Sequence, residues 1–249
     1  MAQSKIINVF KKSSHKNTCS YIYTRDENGV FFFALCHKLA VNSRKRENPN
    51  ANTGPAGTND KYAGKFTSFG GGKKDSKHNL EASVSEIKDE ANIPTLKSTD
   101  IHVSWMARTP CTPRTLSLVK ACEINSDTVG FIYFIQDFDY FFSLFPQWPD
   151  ARGGAEIVTS SCGEIDLVSS FTMDELSGSQ KYEISESKNN FVTSYCANTL
   201  NKFVIPFISE QSEEFKKRWF NGIEVGEDTG PREVCTKPLY TEVRPGVYV

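Results

Sequence analysis

Three carboxylates, Glu86, Asp89 and Glu90, are the residues in this chain best suited to chemistry. They lie in a short predicted helix. Asp89 and Glu90 follow Glu86 by three and four positions, and side chains at these spacings are neighbours on a helix. Like charges at this spacing destabilise a helix by roughly 0.2–0.5 kcal/mol per pair. Mg²⁺ takes one or two carboxylates and fills its remaining positions with water and phosphate oxygens. The spacing therefore indicates a divalent metal site, with a solvated acidic face as the alternative.

Three glycines precede this helix at residues 70–72. Glycine has no Cβ, so its backbone can approach a phosphate closely and can adopt positive φ. We expect Gly71 and Gly72 to contact a substrate phosphate in this way. The glycine turn favours a metal site over a solvated acidic face.

The elements that must position these groups are a turn and an amphipathic helix. Asn79 is the predicted N-cap, Asn92 suits the left-handed residue that ends a helix, and Pro94 prevents continuation. One stripe of the helix is predicted to dock against the core, and it consists of Leu80, Val84, Ile87 and Ala91.

Residues 71–93 resemble the signature of the Nudix hydrolases, G-x5-E-x7-R-E-U-x-E-E-x-G-U, where U is aliphatic. With the first glycine placed on Gly71, the metal-binding carboxylates of the family coincide with Glu86, Asp89 and Glu90. Ile87 and Ile93 occupy the two aliphatic positions of the signature. The resemblance implies Mg²⁺ or Mn²⁺ as cofactor, these three residues as metal ligands, and Glu86 and Glu90 as catalytic residues.

The segment departs from the signature at four positions. Asp89 keeps the charge of a glutamate, and Asn92 replaces a glycine as the next-best residue for a left-handed turn. Lys77 and Ser85 replace a glutamate and an arginine that pair with each other in the family. A supporting ion pair is therefore missing, while the metal-binding carboxylates are retained.

A second part of the resemblance begins at Glu164, which precedes an alternating run and the helix start Asp174-Glu175-Leu176. Alternation predicts a strand packed on one face. In the family, a carboxylate just before this strand often completes the metal site or acts as the base. The resemblance makes Glu164 the first candidate for this catalytic role and Glu156 the second, with a solvated strand end as the alternative for both.

Composition describes an ordinary globular protein, with 249 residues, 38% hydrophobic residues and a net charge of −1. Balanced charge gives no reason to expect general nucleic-acid binding. The seven cysteines are widely spaced and include no CxxC pair, so we expect neither a zinc site nor a disulfide framework. Reduced thiols, and the lack of transmembrane-length apolar runs and of a signal-peptide core, predict an intracellular, cytoplasmic protein.

The pattern of apolar runs divides the chain into a basic extension (1–17), a central domain (18–208), and a short helix with an extended tail (209–249). Two β-rich runs flank Asn28-Gly29, a strong hairpin signal. Further strands are predicted at 101–107, 116–123 and 129–138, and a closing helix at 191–207. Two insertions are expected, at 39–64 and 139–163.

Both insertions carry groups that could meet a nucleotide. Arg44-Lys45-Arg46 in the first could contact phosphate, and the second carries Tyr140, Phe142 and Trp148, which could stack on a base. A plain surface loop and core packing are the respective alternatives.

The elements predict an α+β protein, and the resemblance implies a Nudix-like α/β/α sandwich with a mixed β-sheet. It further implies hydrolysis of the diphosphate linkage in a nucleoside diphosphate joined to another moiety X, such as an RNA cap, a nucleotide sugar or a dinucleoside polyphosphate. The expected partner is a nucleotide-type substrate, with RNA as an option, no membrane, and an open oligomeric state. Two alternatives remain: a Nudix-fold nucleotide- or RNA-binding module with weakened catalysis, and an interaction protein without turnover.

Overall fold

The computed structural model describes residues 8–11, 14–38, 65–72, 78–105, 111–147, 165–172, 175–176, 192–209, 242–244 and 247–248. Strands β1 to β7 span Asn17–Arg25, Phe31–Lys38, Phe66–Thr67, His102–Val103, Ser117–Asn125, Thr128–Phe134 and Ile165–Thr172. Helices α1 to α4 span Asn79–Glu90, Phe138–Leu144, Ser194–Thr199 and Ile205–Ser209. A π-helical segment, Leu200–Val204, joins α3 to α4, and Ser98–Asp100 forms one 3₁₀ turn.

Strands β1 to β7 form one mixed sheet in the order β3-β2-β1-β6-β5-β4, with β7 also paired to β2. The β1–β6 and β4–β5 pairs are parallel, and the other pairs are antiparallel. Side chains alternate between two buried cores, as Phe33 and Ala34 of β2 illustrate.

We call these the α1-side core, which contains the apolar residues of α1 and α2, and the α3-side core, which contains those of α3, the π segment and α4. A mixed sheet covered by helices on both faces confirms the predicted α+β sandwich.

The predicted hairpin joins β1 to β2. Arg25 and Phe31 are the last paired residues, and Asp26 N–H donates to the carbonyl of Val30 at 3.0 Å. Gly29 has φ +85° and donates to the carbonyl of Asp26 at 3.1 Å. The glycine thus supplies the left-handed residue that lets this turn close, as the sequence indicated.

Helix α1 docks as predicted, with Leu80, Val84 and Ile87 buried in the α1-side core. The predicted N-cap is wrong by one residue. His78 caps the helix, because its Nδ1 accepts the N–H of Glu81 at 3.2 Å, and Asn79 is buried inside the first turn. Histidine is not among the usual capping residues, so sequence patterns favoured its neighbour.

The C-terminal end of α1 agrees with the prediction. Asn92 has φ +53°, and Ile93 N–H donates to the carbonyl of Lys88 at 3.0 Å. A left-handed residue followed by this six-to-one hydrogen bond is the Schellman arrangement.

Part of the predicted basic extension packs on the domain. Val9 is buried in the α1-side core, and its carbonyl accepts the N–H of Leu80 at 3.0 Å. The first turn of a helix has N–H groups without intrahelical partners, and this contact satisfies one of them.

The predicted strand 129–138 is too long, and its end belongs to another element. Strand β6 ends at Phe134, and Asp137 caps α2 by accepting the N–H of Tyr140 at 2.8 Å. Phe141 and Phe145 are fully buried in the α1-side core. The start of the predicted insertion at 139 is therefore a helix of the fold, because its aromatic residues are core residues.

The closing helix and strand β7 are confirmed. The helix that begins at Ser194 buries Leu200 and Phe203 in the α3-side core. After β7, Thr172 and Glu175 form a reciprocal capping box, with Thr172 N–H donating to Glu175 Oε2 at 2.6 Å and Glu175 N–H donating to Thr172 Oγ1 at 3.2 Å. This agrees with the predicted helix start near Leu176.

Three findings complete the fold. Strands β8 (Glu242–Arg244) and β9 (Val247–Tyr248) form a small separate sheet within the segment predicted as an extended tail. Cys111 is disulfide-bonded, which corrects the expectation of reduced thiols throughout, while Cys19, Cys36, Cys122 and Cys196 are free. No helix among the described residues has the length and apolar character needed to cross a membrane.

Candidate functional site

The glycine turn, residues 70–72, lies in a split between β1 and β2. Strand β7 occupies one edge of β2, so β1 and β3 share the other edge. The pairing of β1 with β2 stops at Ile22, and the chain from β3 onward enters the opening. Its Phe69 and Gly72 bridge to Ser20 and Asn17 of β1. Backbone hydrogen bonds to β1 therefore hold the glycine turn, as in the bond from Thr18 N–H to the carbonyl of Gly71 at 3.0 Å, while β3, just before the turn, pairs with β2.

Position 70 of the turn can be occupied only by glycine. Its φ is +150°, and a Cβ placed there would overlap the carbonyl oxygen of Thr18 and approach the Cα of Cys19 to 2.9 Å. Both obstacles are backbone atoms of the sheet, which cannot move aside locally. Lack of a side chain at Gly70 thus lets the turn lie against β1.

Glu90, at the last position of α1, is tied to this turn. Its Oε2 accepts the backbone N–H of Gly70 at 2.8 Å, and the residue is only 4% exposed. The thiol of Cys36, on β2, also faces Oε2 at 3.9 Å. Burying a carboxylate is costly unless donors or positive charges compensate, and the Gly70 N–H is one such donor.

Glu86 lies one helical turn before Glu90 and faces the next residue of the glycine turn. A Cβ built on Gly71 would lie 2.7 Å from Glu86 Oε2 and 3.1 Å from its Cδ. A Cβ on Gly72 would meet no heavy atom of the described residues within 4 Å. The two glutamates therefore present their carboxylates to consecutive residues of one turn.

Asp89 is half-buried on the neighbouring face of α1, 100° of helical rotation from Glu90. Within the described ranges, no three His, Cys, Asp or Glu side chains gather into a metal-binding cluster. The structure thus brings Glu86 and Glu90 to the glycine turn but does not gather Asp89 with them into a set of three.

A buried hydroxyl network fixes α1 on the sheet beside these glutamates. Ser83 Oγ lies 2.8 Å from Ser20 Oγ on β1 and 2.6 Å from Tyr133 Oη on β6. Burial raises the pKa of the Tyr133 hydroxyl, so this group stays protonated and able to donate. The network ties one helix to two strands three residues before Glu86.

Several predicted residues fall outside the described part of the chain, namely Glu164, Glu156, Lys77, Arg44-Lys45-Arg46 and Trp148. Their roles stay predictions. Tyr140 and Phe142 are described and lie on α2, half-buried at the edge of the α1-side core.

Sequence reasoning placed the glycine contacts at Gly71 and Gly72, and missed Gly70, Cys36 and the hydroxyls of the network. Gly70 is the first glycine of the run in the sequence. The reason that position 70 must be glycine is its contact with Thr18, which is distant in sequence. Ser83 carried a weak signal, since a small polar residue beside the apolar stripe of a helix fits a buried polar contact.

No family model matches the chain, and no curated protein does. Among solved structures, the crystal structure of a mutT/nudix family protein from Listeria innocua is similar over 80% of this chain and 98% of that one, with 11% identity and a TM-score of 0.39. A likeness of this size carries no argument about function.

Proposed function

We propose that this protein is a metal-dependent hydrolase of the Nudix type that cleaves a diphosphate linkage in a nucleoside diphosphate joined to another moiety. One observation carries the proposal: Glu86 and Glu90 present carboxylates to Gly71 and Gly70, consecutive residues of a turn held inside the sheet. The sequence resemblance assigns metal binding to the same two glutamates. Neither a solvated acidic face nor a plain structural helix requires this arrangement.

The residues present fit Mg²⁺ or Mn²⁺. These ions prefer oxygen ligands and are commonly held by one or two carboxylates, with the remaining positions filled by water and substrate phosphates. Glu86 and Glu90 would supply the two carboxylates, and Asp89 would act through a water. The buried position of Glu90 supports this reading, because a divalent cation would offset the cost of burying its charge.

Each residue of the proposed site then has a defined role. Gly70 N–H orients Glu90, while the absence of a Cβ at Gly71 leaves room for the Glu86 carboxylate. The network around Ser83 holds the helix in register with the sheet. A bound divalent ion would neutralise charge on the phosphates and lower the pKa of an attacking water. Glu164 is the proposed base that takes the proton from that water.

The proposal is tested by measuring hydrolysis of ADP-ribose, a dinucleoside polyphosphate and capped RNA with Mg²⁺ or Mn²⁺. Glu90→Gln keeps an oxygen that can accept from Gly70 N–H but removes the charge. We expect it to lower turnover on the preferred substrate by roughly a hundredfold or more, with folding unchanged.

Glu81→Gln is the matched control, because Glu81 lies on the opposite face of the same helix and its side chain is 46% exposed beside His78. This variant should keep full activity. Nucleotide binding without turnover of any substrate would instead support a binding module, and neither binding nor turnover would support an interaction protein.

A further inference from the structure

A pocket whose lining does not include the two glutamates lies beside the C-terminal end of α1. It measures about 270 Å³ and opens between this end of the helix, the segment that follows it, and α2. Ile87 of α1 lines it, whereas Glu86, Glu90 and the glycines do not. Pockets that hold drug-sized ligands measure roughly 300–1,000 Å³, so this one suits a single ring system.

The floor of the pocket is apolar and buried. Five buried side chains form it. They come from β1, from α1, from the residues next to β5 and β6, and from the end of α2, and they are Ile22, Ile87, Leu116, Ile135 and Phe145. Because this floor has no polar side chain, it favours contact with an uncharged ring, through either the face or the edge of that ring.

The rim of the pocket is polar and held in place. Arg114 Nε donates to Asp137 Oδ2 at 2.8 Å, and its guanidinium carbon lies 5.6 Å from the centre of the Tyr140 ring. Asp137 is itself fixed, since it caps α2. The hydrogen bond from Arg114 lowers the pKa of Asp137, so the pair stays ionised at neutral pH. Among the described residues, Arg114 donates only through Nε, which leaves its terminal nitrogens for a ligand.

The charge at this rim selects against anions. Asp137 neutralises Arg114, and the exposed carboxylate of Asp100 also lines the pocket. A phosphate would therefore meet a local excess of negative charge. A ligand with adjacent acceptor and donor groups on one edge could instead accept from Arg114 and donate to Asp100.

We infer that this pocket binds a neutral, planar heteroaromatic ring of nucleobase size, with its polar edge toward Arg114 and Asp100 and its ring beside Tyr140. This site is separate from the proposed metal site and binds without metal. Its existence does not depend on the proposed hydrolysis.

The four isoleucines at the pocket, Ile22, Ile87, Ile93 and Ile135, provide a direct readout. The metal-free, full-length protein with ¹³C-labelled isoleucine methyl groups is titrated with adenosine, guanosine, cytidine and uridine, and then with their 5′-monophosphates. At least one nucleoside should shift these methyl signals and leave those of Ile132 and Ile205 unchanged. Its monophosphate should bind more weakly.

Two variants locate the binding. Thr95→Trp places a large side chain at the exposed rim and should abolish the shifts, while Ser126→Trp, at the far end of the β5–β6 hairpin, should not. Arg114→Gln should weaken binding roughly tenfold, and it tests the site even if Thr95→Trp does not fold. No shift with any nucleoside, tighter binding of the monophosphates, or unchanged binding in Thr95→Trp or Arg114→Gln would overturn the inference. None of these outcomes affects the Glu90→Gln experiment.

Discussion

The backbone of Gly71 lies directly against the carboxylate of Glu86, so closely that a Cβ on this glycine would come within 2.7 Å of Glu86 Oε2. The atom in the way is the end of a flexible side chain, not backbone. A side chain at this position is therefore expected to displace the carboxylate without unfolding the protein. At Gly72, the next residue, an added Cβ would have no heavy atom within 4 Å in the part of the chain that the structure describes.

Gly71→Ala should accordingly lower the affinity for Mn²⁺ in the absence of substrate by roughly tenfold, as changes beside metal ligands commonly do. Gly72→Ala adds the same methyl group into open space and should leave Mn²⁺ affinity unchanged. Electron paramagnetic resonance of free Mn²⁺ measures both, and thermal unfolding checks that both variants fold. Equal affinities for the two variants would mean that Glu86 does not hold the ion.

Gly70→Ala should act on stability instead. The added Cβ would meet the backbone of Thr18 and Cys19, and an L-residue rarely adopts φ +150°. We expect a loss of roughly 1–3 kcal/mol in the free energy of unfolding, measured by urea denaturation. A variant as stable as the wild type would show that the turn can move away from β1, and the description of the split sheet would then be wrong.

The contrast between Gly70 and Gly71 shows what the sequence could and could not predict. Local signals, namely periodicity, charge spacing and turn residues, were sufficient to predict α1, the β1–β2 hairpin and strand β7. Charge spacing also drew attention to Glu86 and Glu90, which the structure places beside the glycine turn; their role in metal binding stays a prediction.

Features that depend on contacts between distant residues were not accessible in this way. The requirement for glycine at Gly70 is one of these features, because it arises from the backbone of Thr18 and Cys19, which are distant in sequence. The capping role of His78 was missed for another reason: the contact is local, but histidine is not among the usual capping residues. The start of α2 was mistaken for strand and insertion because phenylalanine is common in both strands and core helices. Propensity alone does not separate these cases.

The hydroxyl network beneath α1 gives a prediction with an internal comparison. Ser83→Ala removes the hydroxyl that contacts both Ser20 and Tyr133, and leaves Tyr133 Oη buried without this partner. Tyr133→Phe removes one end of the network and leaves Ser83 bonded to Ser20. Because an unsatisfied buried group costs roughly 1–3 kcal/mol and a lost neutral hydrogen bond about 1 kcal/mol, Ser83→Ala should be the more destabilising change.

Urea denaturation of both single variants and of the double variant measures this difference. The double variant should be less destabilised than the sum of the two single variants, since the orphaned tyrosine hydroxyl is absent from it. Additive effects would mean that the two hydroxyls contribute independently.

The buried cysteines of the α3-side core make a further prediction about reactivity. Burial raises the pKa of Cys19 to about 12 and that of Cys196 to about 12. The thiolate is the reactive form, so both thiols should resist iodoacetamide at pH 8 in the folded protein and react once it is unfolded. Mass spectrometry of labelled peptides, with and without denaturant, measures this. Rapid labelling of either cysteine in the folded protein would contradict the buried position of that strand or helix.

The same shifts predict how stability depends on alkaline pH. The unfolded thiol has a pKa of 9.0, whereas the folded one stays protonated to about 12. The stabilisation is therefore complete below pH 9 and is lost as the pH rises toward 12, at up to about 1.4 kcal/mol per pH unit for each thiol. Buried tyrosines add to this loss, because burial also raises the pKa of Tyr21 and Tyr23. Cys196→Ala lowers stability at neutral pH but should flatten the alkaline slope of the unfolding free energy between pH 9 and 11. An unchanged slope in this variant would show that Cys196 ionises in the folded protein as readily as in the unfolded chain.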